Sequence, residues 1–142
     1  MMPSFEGTYI LVSFSASSDG GAWTELFGAS PRGRAVITST RFTAVLTARD
    51  RASGSTPLDH AALWASMCAY SGTYRIDGPK FITSVDVSWN ESWNGTDQAR
   101  TWHLEGPRLT LVTDPGPNPF DPSRSVVFRV VWDRLDNKES PP

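Results

Sequence analysis

Cysteine, long apolar runs and an excess of one charge are all scarce in this sequence, and each scarcity excludes a class of protein. The 142 residues contain one cysteine, Cys68, which has no partner for an internal disulfide and therefore favours a reducing compartment. No run of about 18 apolar residues occurs, so no membrane-spanning helix is expected. The formal net charge of −2 gives no broad basic face for nucleic acid.

The sequence also lacks the short motifs of metal, nucleotide and serine-nucleophile chemistry. H-E-x-x-H and C-x-x-C are absent, so no metal site is expected. The glycine-rich phosphate-binding motifs are absent, so no nucleotide cofactor is expected. G-x-S-x-G is absent too, and with two histidines in the chain a Ser-His-Asp triad is hard to build. An enzyme with this sequence is therefore expected to work without a cofactor.

Length and composition fit one domain that spans the whole chain. The hydrophobic content is 39%, which suits a globular core of about residues 6–135, followed by a polar, flexible tail over residues 136–142. Residues 1–6 lack the basic and apolar regions of a signal peptide, so a cytoplasmic protein is expected. The sequons Asn90-Glu91-Ser92 and Asn94-Gly95-Thr96 are then expected to be coincidental.

Short segments rich in β-branched and aromatic residues recur between turn signals such as Asp77-Gly78-Pro79 and Asn94-Gly95, which predicts strands. The predicted strands are Gly7–Phe14, Arg34–Ser39, Phe42–Thr47, Ala69–Ile76, Lys80–Trp89, Gln98–Glu105, Arg108–Asp114 and Ser125–Leu135. The proline-rich segment 115–119 is predicted to be a loop. An eight-stranded, all-β, antiparallel up-and-down barrel is the economical solution because closure removes exposed sheet edges. A two-sheet sandwich is the alternative.

One helix is predicted in this otherwise all-β chain. Thr56 is a suitable N-cap, Pro57 suits the first helical position, and Asp59 lies at the favourable end of the helix dipole. The helix is expected to run through Met67 and to cover one end of the barrel.

Residues at both chain ends match a known motif pair. Lipocalin-type barrels begin with G-x-W, whose ring packs beneath an arginine of the last strand. Here Gly7-Thr8-Tyr9 stands in the first place, with tyrosine replacing tryptophan, and Trp132-Asp133-Arg134 stands in the last. Further matching segments are Pro31–Arg34, Tyr70–Gly78, Trp93–Arg100 and Gly106–Leu111. Together these segments resemble the lipocalin-like domain family of bacteria and fungal natural-product gene clusters. The resemblance implies a barrel with Tyr9 packed near Arg134 at its closed end.

Strand alternation predicts which side chains point into the barrel. On the last strand, the more apolar face is expected to point inward. The expected inward residues are Tyr9, Leu11 and Ser13 on the first strand, Phe42, Ala44 and Leu46 on the third, and Val126, Phe128, Val130, Trp132 and Arg134 on the last.

One strand face carries Gln98, Arg100 and Trp102, a combination that fits neither solvent nor a dry core. Tryptophan is costly to expose, and a buried guanidinium needs a partner. A cavity wall resolves both problems. The face of the fourth strand that carries Tyr70, Gly72 and Tyr74 is interpreted in the same way, because the glycine is expected to leave room for a ligand. The predicted cavity is lined by Tyr70, Tyr74, Gln98, Arg100, Trp102 and Trp132.

Within this cavity we assign roles by side-chain chemistry. The predicted catalytic residues are Arg100, Tyr74 and Tyr70, and the predicted substrate-binding residues are Gln98, Trp102, Trp132, Phe42 and Trp64. Alternatives remain for several residues. Arg100 is otherwise a structural arginine paired with Asp86 or Glu25, and Cys68 is expected to be a small buried hydrophobic residue. Trp89 and Trp93 are alternatively packed under a hairpin turn.

The family has no uniform activity, so two functions follow from the resemblance. The first function is that of a cofactor-independent cyclase or isomerase acting on a hydrophobic polyketide, terpenoid or alkaloid intermediate. It follows from the similarity of small cofactor-free barrels in natural-product pathways to cyclases and isomerases. The alternative is a non-catalytic carrier of a small hydrophobic molecule. Neither function involves nucleic acid or a membrane, and a homodimer is left open.

Overall fold

Ten strands form a single closed antiparallel sheet in the computed structural model, which describes residues 3–118 and 121–135. The strands are β1 (Gly7–Ser18), β2 (Thr24–Glu25), β3 (Arg32–Ile37), β4 (Arg41–Thr47), β5 (Met67–Asp77), β6 (Lys80–Ser88), β7 (Asp97–Glu105), β8 (Arg108–Thr113), β9 (Gly116–Asn118) and β10 (Asp121–Arg134). One α-helix, α1 (Pro57–Ala65), and a short 3₁₀ turn, Glu91–Trp93, complete the described part of the chain. The predicted tail, residues 136–142, lies outside the described residues.

Eight of the described strands form the barrel, in the order β1-β3-β4-β5-β6-β7-β8-β10. Pairing of β1 with β10 closes it, with Tyr9 opposite Arg134 and Ser18 opposite Val126. The predicted up-and-down barrel is therefore confirmed and the sandwich alternative is wrong. Strands β2 and β9 extend the sheet beside β1 and β10; β9 lies in the proline-rich segment that the sequence predicted as a loop.

The helix begins as predicted and ends earlier. Thr56 and Asp59 form a reciprocal capping box, each side chain bonding the other's backbone N–H at 3.1 Å. The helix ends at Ala65, and Met67, predicted to be helical, already belongs to β5. No residue of α1 is buried, so the helix rests on the open end of the barrel without entering its core. Within the described ranges, no helix is long and apolar enough to cross a membrane.

A bulge in β1 changes which side chains face inward. The register with β10 shifts between Leu11 and Ser13, so that Phe14 pairs with Val130. An extra residue in one strand reverses the alternation beyond it. The prediction that Ser13 points inward is therefore wrong, and Phe14 takes the inward position instead.

The closed end is built around the predicted pair of Tyr9 and Arg134. Tyr9 is completely buried, and its hydroxyl accepts hydrogen bonds from Arg134 Nε at 3.1 Å and Nη2 at 2.8 Å. The same hydroxyl donates to the carbonyl of Phe5 at 2.7 Å, while Arg134 Nη2 also donates to the carbonyl of Ser4 at 2.6 Å. These contacts tie the N-terminal segment across the barrel end, which confirms the predicted contact.

Candidate ligand-binding site

An apolar cavity lies in the half of the barrel opposite the Tyr9–Arg134 pair, which we call the open half. It encloses about 40 Å³, room for about three water molecules at about 10–15 Å³ each. Its walls come from six barrel strands and from the segment after β6. The lining residues are Phe14, Ala44, Leu46, Cys68, Tyr70, Trp89, Trp93, Arg100, Leu111, Phe128, Val130 and Trp132.

A groove of about 200 Å³ adjoins this cavity. Trp93, Arg100 and Phe128 line both spaces, so Arg100 lies between the cavity and the groove. The other groove residues are Gln98, Thr113, Asp114, Gly116, Pro117 and Val126. Arg100 can therefore be contacted from two sides: by a ligand in the groove and by a ligand in the cavity.

Arg100 is buried, with 8% of its surface exposed. Its guanidinium carbon lies 5.8 Å from the centre of the Tyr70 ring. Among residues 3–118 and 121–135 the Arg100 side chain has no hydrogen bond or ion pair. The alternative pairing with Asp86 is wrong because Arg41 binds both oxygens of that carboxylate, at 3.0 and 2.7 Å. No ion pair with Glu25 forms either.

Two weak acids, Tyr70 and Cys68, line the cavity beside Arg100. Burial raises the pKa of the Tyr70 phenol, against a smaller lowering by the charge of Arg100. Burial also raises the pKa of the Cys68 thiol to about 12. Both groups are therefore neutral near pH 7, and Tyr70 remains a hydrogen-bond donor. Its hydroxyl has no hydrogen-bond partner in the described part of the chain.

Three tryptophans cover the cavity mouth. Trp64 of α1 packs on Trp89 with ring centres 5.7 Å apart, and its Nε1 donates to the Trp89 carbonyl at 3.3 Å. Trp89 in turn contacts Trp93 at 5.1 Å, and Trp93 contacts Tyr70 at 5.3 Å. The Trp89 Nε1 is buried and has no hydrogen-bond partner among the described residues. The helix and the segment after β6 thus close one end of the cavity with aromatic rings.

Two predicted cavity residues, Tyr74 and Trp102, lie at the closed end instead. Tyr74 stacks on Phe81 with ring centres 4.8 Å apart, and its hydroxyl donates to the Thr38 carbonyl at 2.8 Å. Trp102 Nε1 donates to the Gly78 carbonyl at 2.9 Å. Tyr74 lies four residues beyond Tyr70 on the same face of β5. Because a strand rises about 3.3 Å per residue, the two side chains are about 13 Å apart along the strand. The predicted place of Tyr74 and Trp102 in the cavity is therefore corrected.

The remaining predicted site residues occupy three different places. Trp132 lines the cavity, and Gln98 lines the groove with its Nε2 donating to Thr96 Oγ1 at 3.0 Å. Phe42 is buried against Tyr70, with ring centres 5.4 Å apart, and does not line the cavity. Trp64 lies at the mouth. The sequence therefore identified Tyr70, Arg100 and Trp132 as neighbours of one space.

Gly72 does not leave room for a ligand, contrary to the sequence interpretation. A Cβ atom at this position would collide with the backbone carbonyl of Ser84 on β6. The close approach of the two strands lies beside the register shift between Ser71 and Gly72. The glycine is required by strand packing.

Sequence reasoning missed several lining residues. Phe14 was missed because of the β1 bulge, and Leu111 because no inward face was assigned to β8. For Trp89 and Trp93 the sequence left two roles open, packing under a hairpin turn or lining a site; both residues line the cavity. The dense cluster of tryptophans between Trp89 and Trp102 was the signal that could have found them.

The chemistry of the cavity wall is limited to hydrogen-bond donors and apolar groups. No carboxylate or imidazole is among the described residues that line the cavity. In the same described ranges, no three His, Cys, Asp or Glu side chains are grouped closely enough to hold a metal ion. The arrangement can bind an apolar molecule and contact an acceptor on it through Arg100 or Tyr70.

Comparison with known proteins agrees with the barrel and the closed end. The model of the family described as lipocalin-like domain matches residues 6–135. No curated protein matches the chain significantly. Barrels of this architecture are compatible with binding of a hydrophobic small molecule. Because the match covers nearly all of the described barrel, the chain belongs to the lipocalin-like domain family.

Proposed function

We propose that the protein binds a mostly apolar small molecule in the open half of the barrel, with Arg100 as its main polar contact. The observation that carries this proposal is that the buried Arg100 side chain contacts the Tyr70 ring but forms no hydrogen bond or ion pair in the described part of the chain. Taking a charge out of water costs several kcal/mol unless it is paired. A group that stabilises the fold would be paired, whereas a group that awaits a ligand would not.

The dimensions of the site limit how a ligand is held. The enclosed 40 Å³ takes only a few atoms, whereas the adjoining groove offers about 200 Å³. A larger ligand therefore lies partly in the groove or displaces side chains at the mouth. Trp64 and α1 are the elements whose displacement costs least, because the helix buries none of its residues.

Filling the cavity tests this function. N-phenyl-1-naphthylamine is a neutral apolar probe whose fluorescence rises in apolar surroundings. Ala44→Leu adds three carbon atoms to the cavity wall, while Val45→Leu, which adds one carbon atom on the outer face of the same strand, is the control. We expect the wild type and Val45→Leu to bind the probe alike and Ala44→Leu to bind it at least about 10-fold more weakly. No binding by the wild type, or equal binding by all three proteins, would contradict the proposal.

Catalysis is a second candidate, favoured by the neutral Tyr70 phenol lying beside Arg100. Such a pair can donate to an oxygen on which negative charge develops, as a cofactor-independent cyclase or isomerase of a natural-product intermediate requires. Because no carboxylate or imidazole lines the cavity among the described residues, the favoured reactions are cyclisations that need orientation and oxyanion stabilisation more than a protein base.

Heptane-2,4,6-trione, which closes to a pyrone by attack of an enol oxygen on a carbonyl carbon and loss of water, is a simple probe of this candidate. We expect the wild type to accelerate its closure, followed by ultraviolet absorbance. Arg100→Met is expected to lower the accelerated rate about 100- to 1000-fold, by analogy with the loss of an oxyanion donor. A wild type without effect on the rate would favour the carrier function over the enzyme.

A further inference from the structure

Three side chains that line the cavity, Arg100, Tyr70 and Trp89, offer hydrogen-bond donors without partners among the described residues. The Trp89 Nε1–H is fully buried without a hydrogen-bond partner, and the Arg100 guanidinium and Tyr70 hydroxyl, on residues that are 8% exposed, also form no hydrogen bond among residues 3–118 and 121–135. Arginine and the tryptophan ring nitrogen donate and never accept. With the Cys68 thiol held protonated by burial, the wall offers no anionic side-chain acceptor among its described residues.

An occupant of this site must supply what the wall lacks. A buried donor left unpaired costs free energy, and a buried cation left unpaired costs more. A neutral apolar occupant would displace water from Arg100 and leave its charge uncompensated. An occupant with a negatively charged oxygen would form a charge-assisted hydrogen bond with Arg100 and would also compensate its positive charge.

The surroundings of Arg100 do not already supply this negative charge. Asp114 is on the groove wall, but Lys80 Nζ binds its carboxylate at 2.8 Å and its side chain is 71% exposed. Asp86 is bound by Arg41. The charge at Arg100 therefore remains available to a ligand.

We propose that the ligand is an anion with an apolar body, whose negatively charged oxygen group binds Arg100 and Tyr70 between the cavity and the groove. This inference rests on the proposed binding function and narrows its ligand class. The apolar body packs on Trp93 and Phe128, the two rings that line both spaces. The relevant chemistry is an anionic oxygen, such as a carboxylate or an enolate.

Octanoate and octan-1-ol provide a matched pair of probes, because they share a chain of eight carbons and differ in charge. Calorimetric titration of the wild type is expected to show at least about 10-fold tighter binding of octanoate, since a hydrogen bond to a charged group contributes more than a neutral one. Equal binding of the two, or tighter binding of octan-1-ol, would overturn the inference and leave the proposed function standing. Binding of neither would contradict the proposed function itself.

Variants locate the effect. Arg100→Met is expected to weaken octanoate binding about 10- to 100-fold and to leave octan-1-ol binding nearly unchanged. Arg129→Met is the matched control, because it removes the same charge from a residue on the outer face, where Arg129 packs on Trp23. Tyr70→Phe is expected to weaken octanoate binding by less than Arg100→Met does. If Arg129→Met and Arg100→Met lower octanoate binding equally, net charge and not the site governs the preference.

Loss of folding does not remove the test. Circular dichroism and tryptophan fluorescence establish whether Arg100→Met is folded, and Arg100→Lys provides a second variant that keeps the positive charge. Arg100→Lys is expected to retain part of the octanoate preference, because it offers a charge without the planar pair of donors. A folded Arg100→Lys protein with the same octanoate and octan-1-ol affinities as the wild type would show that the planar donors of Arg100 do not bind the anion and would contradict the inference.

Discussion

The two ends of the barrel each hold an arginine against a tyrosine ring, but only one pair is complete. At the closed end, the guanidinium carbon of Arg134 is 5.4 Å from the ring centre of Tyr9; at the open end, Arg100 is 5.8 Å from Tyr70. Arg134 donates to Tyr9 and to the Ser4 carbonyl. Arg100 and the Tyr70 hydroxyl have no hydrogen-bond partner among the described residues.

The difference shows that residue type does not decide the role of such a pair. Hydrogen bonds from Arg134 Nε and Nη2 and from the Tyr9 hydroxyl fix the N-terminal segment and stabilise the closed end. The same residue types at the open end face an apolar space and leave their donors unsatisfied. The closed pair is therefore structural, and the open pair is the candidate contact for a ligand.

Arg134→Met should break the closed end and give the largest loss of stability. It removes two hydrogen bonds to Tyr9 and one to Ser4, so we expect the free energy of unfolding to fall by about 3 kcal/mol. Urea unfolding followed by tryptophan fluorescence measures the change. Arg75→Met is the control: it removes an exposed ion pair with Asp97 and should change stability by less than about 0.5 kcal/mol. Equal effects of the two changes would argue against a structural pair.

The pH dependence of stability tests how dry the open half is. Burial raises the pKa of Cys68 from 9.0 to about 12, so the folded protein keeps a proton that the unfolded chain loses above pH 9. This contribution to stability is complete below pH 9 and falls by up to about 1.4 kcal/mol per pH unit as the pH rises toward the folded pKa. We expect Cys68→Ala to lose stability less steeply than the wild type above pH 9. Parallel curves would indicate a thiol that water reaches.

Removing one hydroxyl from each tyrosine compares the two pairs directly. Tyr9→Phe leaves the Phe5 carbonyl and two donors of Arg134 without their partner, so it should cost about 1–3 kcal/mol. Tyr70→Phe removes a hydroxyl that has no hydrogen-bond partner among the described residues, so it should change stability by less than about 0.5 kcal/mol. Thermal and urea unfolding of both variants provide the measurement. A larger loss for Tyr70→Phe would reverse the assignment of the two ends.

Much of the fold could be predicted because its signals are local or lie at the chain ends. Alternation and turn glycines predicted the strands, and the capping residues Thr56 and Asp59 predicted the start of α1. The motif pair at the termini predicted the contact of Tyr9 with Arg134. None of these predictions required knowledge of strand register.

The site was predicted only in part because register and depth are not local. Alternation assigned Tyr70 and Tyr74 to one face correctly but could not show that Tyr74 lies at the other end of the barrel. The bulge that turns Phe14 inward depends on pairing between the first and last strands. The partner of Asp86 depends on how β4 and β6 lie across β5, which brings Arg41 and not Arg100 to it.

Urea unfolding of Arg100→Met without any ligand, measured beside the wild type, tests directly whether Arg100 is a ligand contact and not a structural residue. Because Arg100 has no hydrogen bond or ion pair in the described structure, replacing it with an apolar side chain of similar length removes a buried charge and its contact with the Tyr70 ring but no hydrogen bond. We expect a free energy of unfolding equal to or higher than that of the wild type. A loss of about 2 kcal/mol or more, as expected for a paired structural arginine, would contradict this expectation.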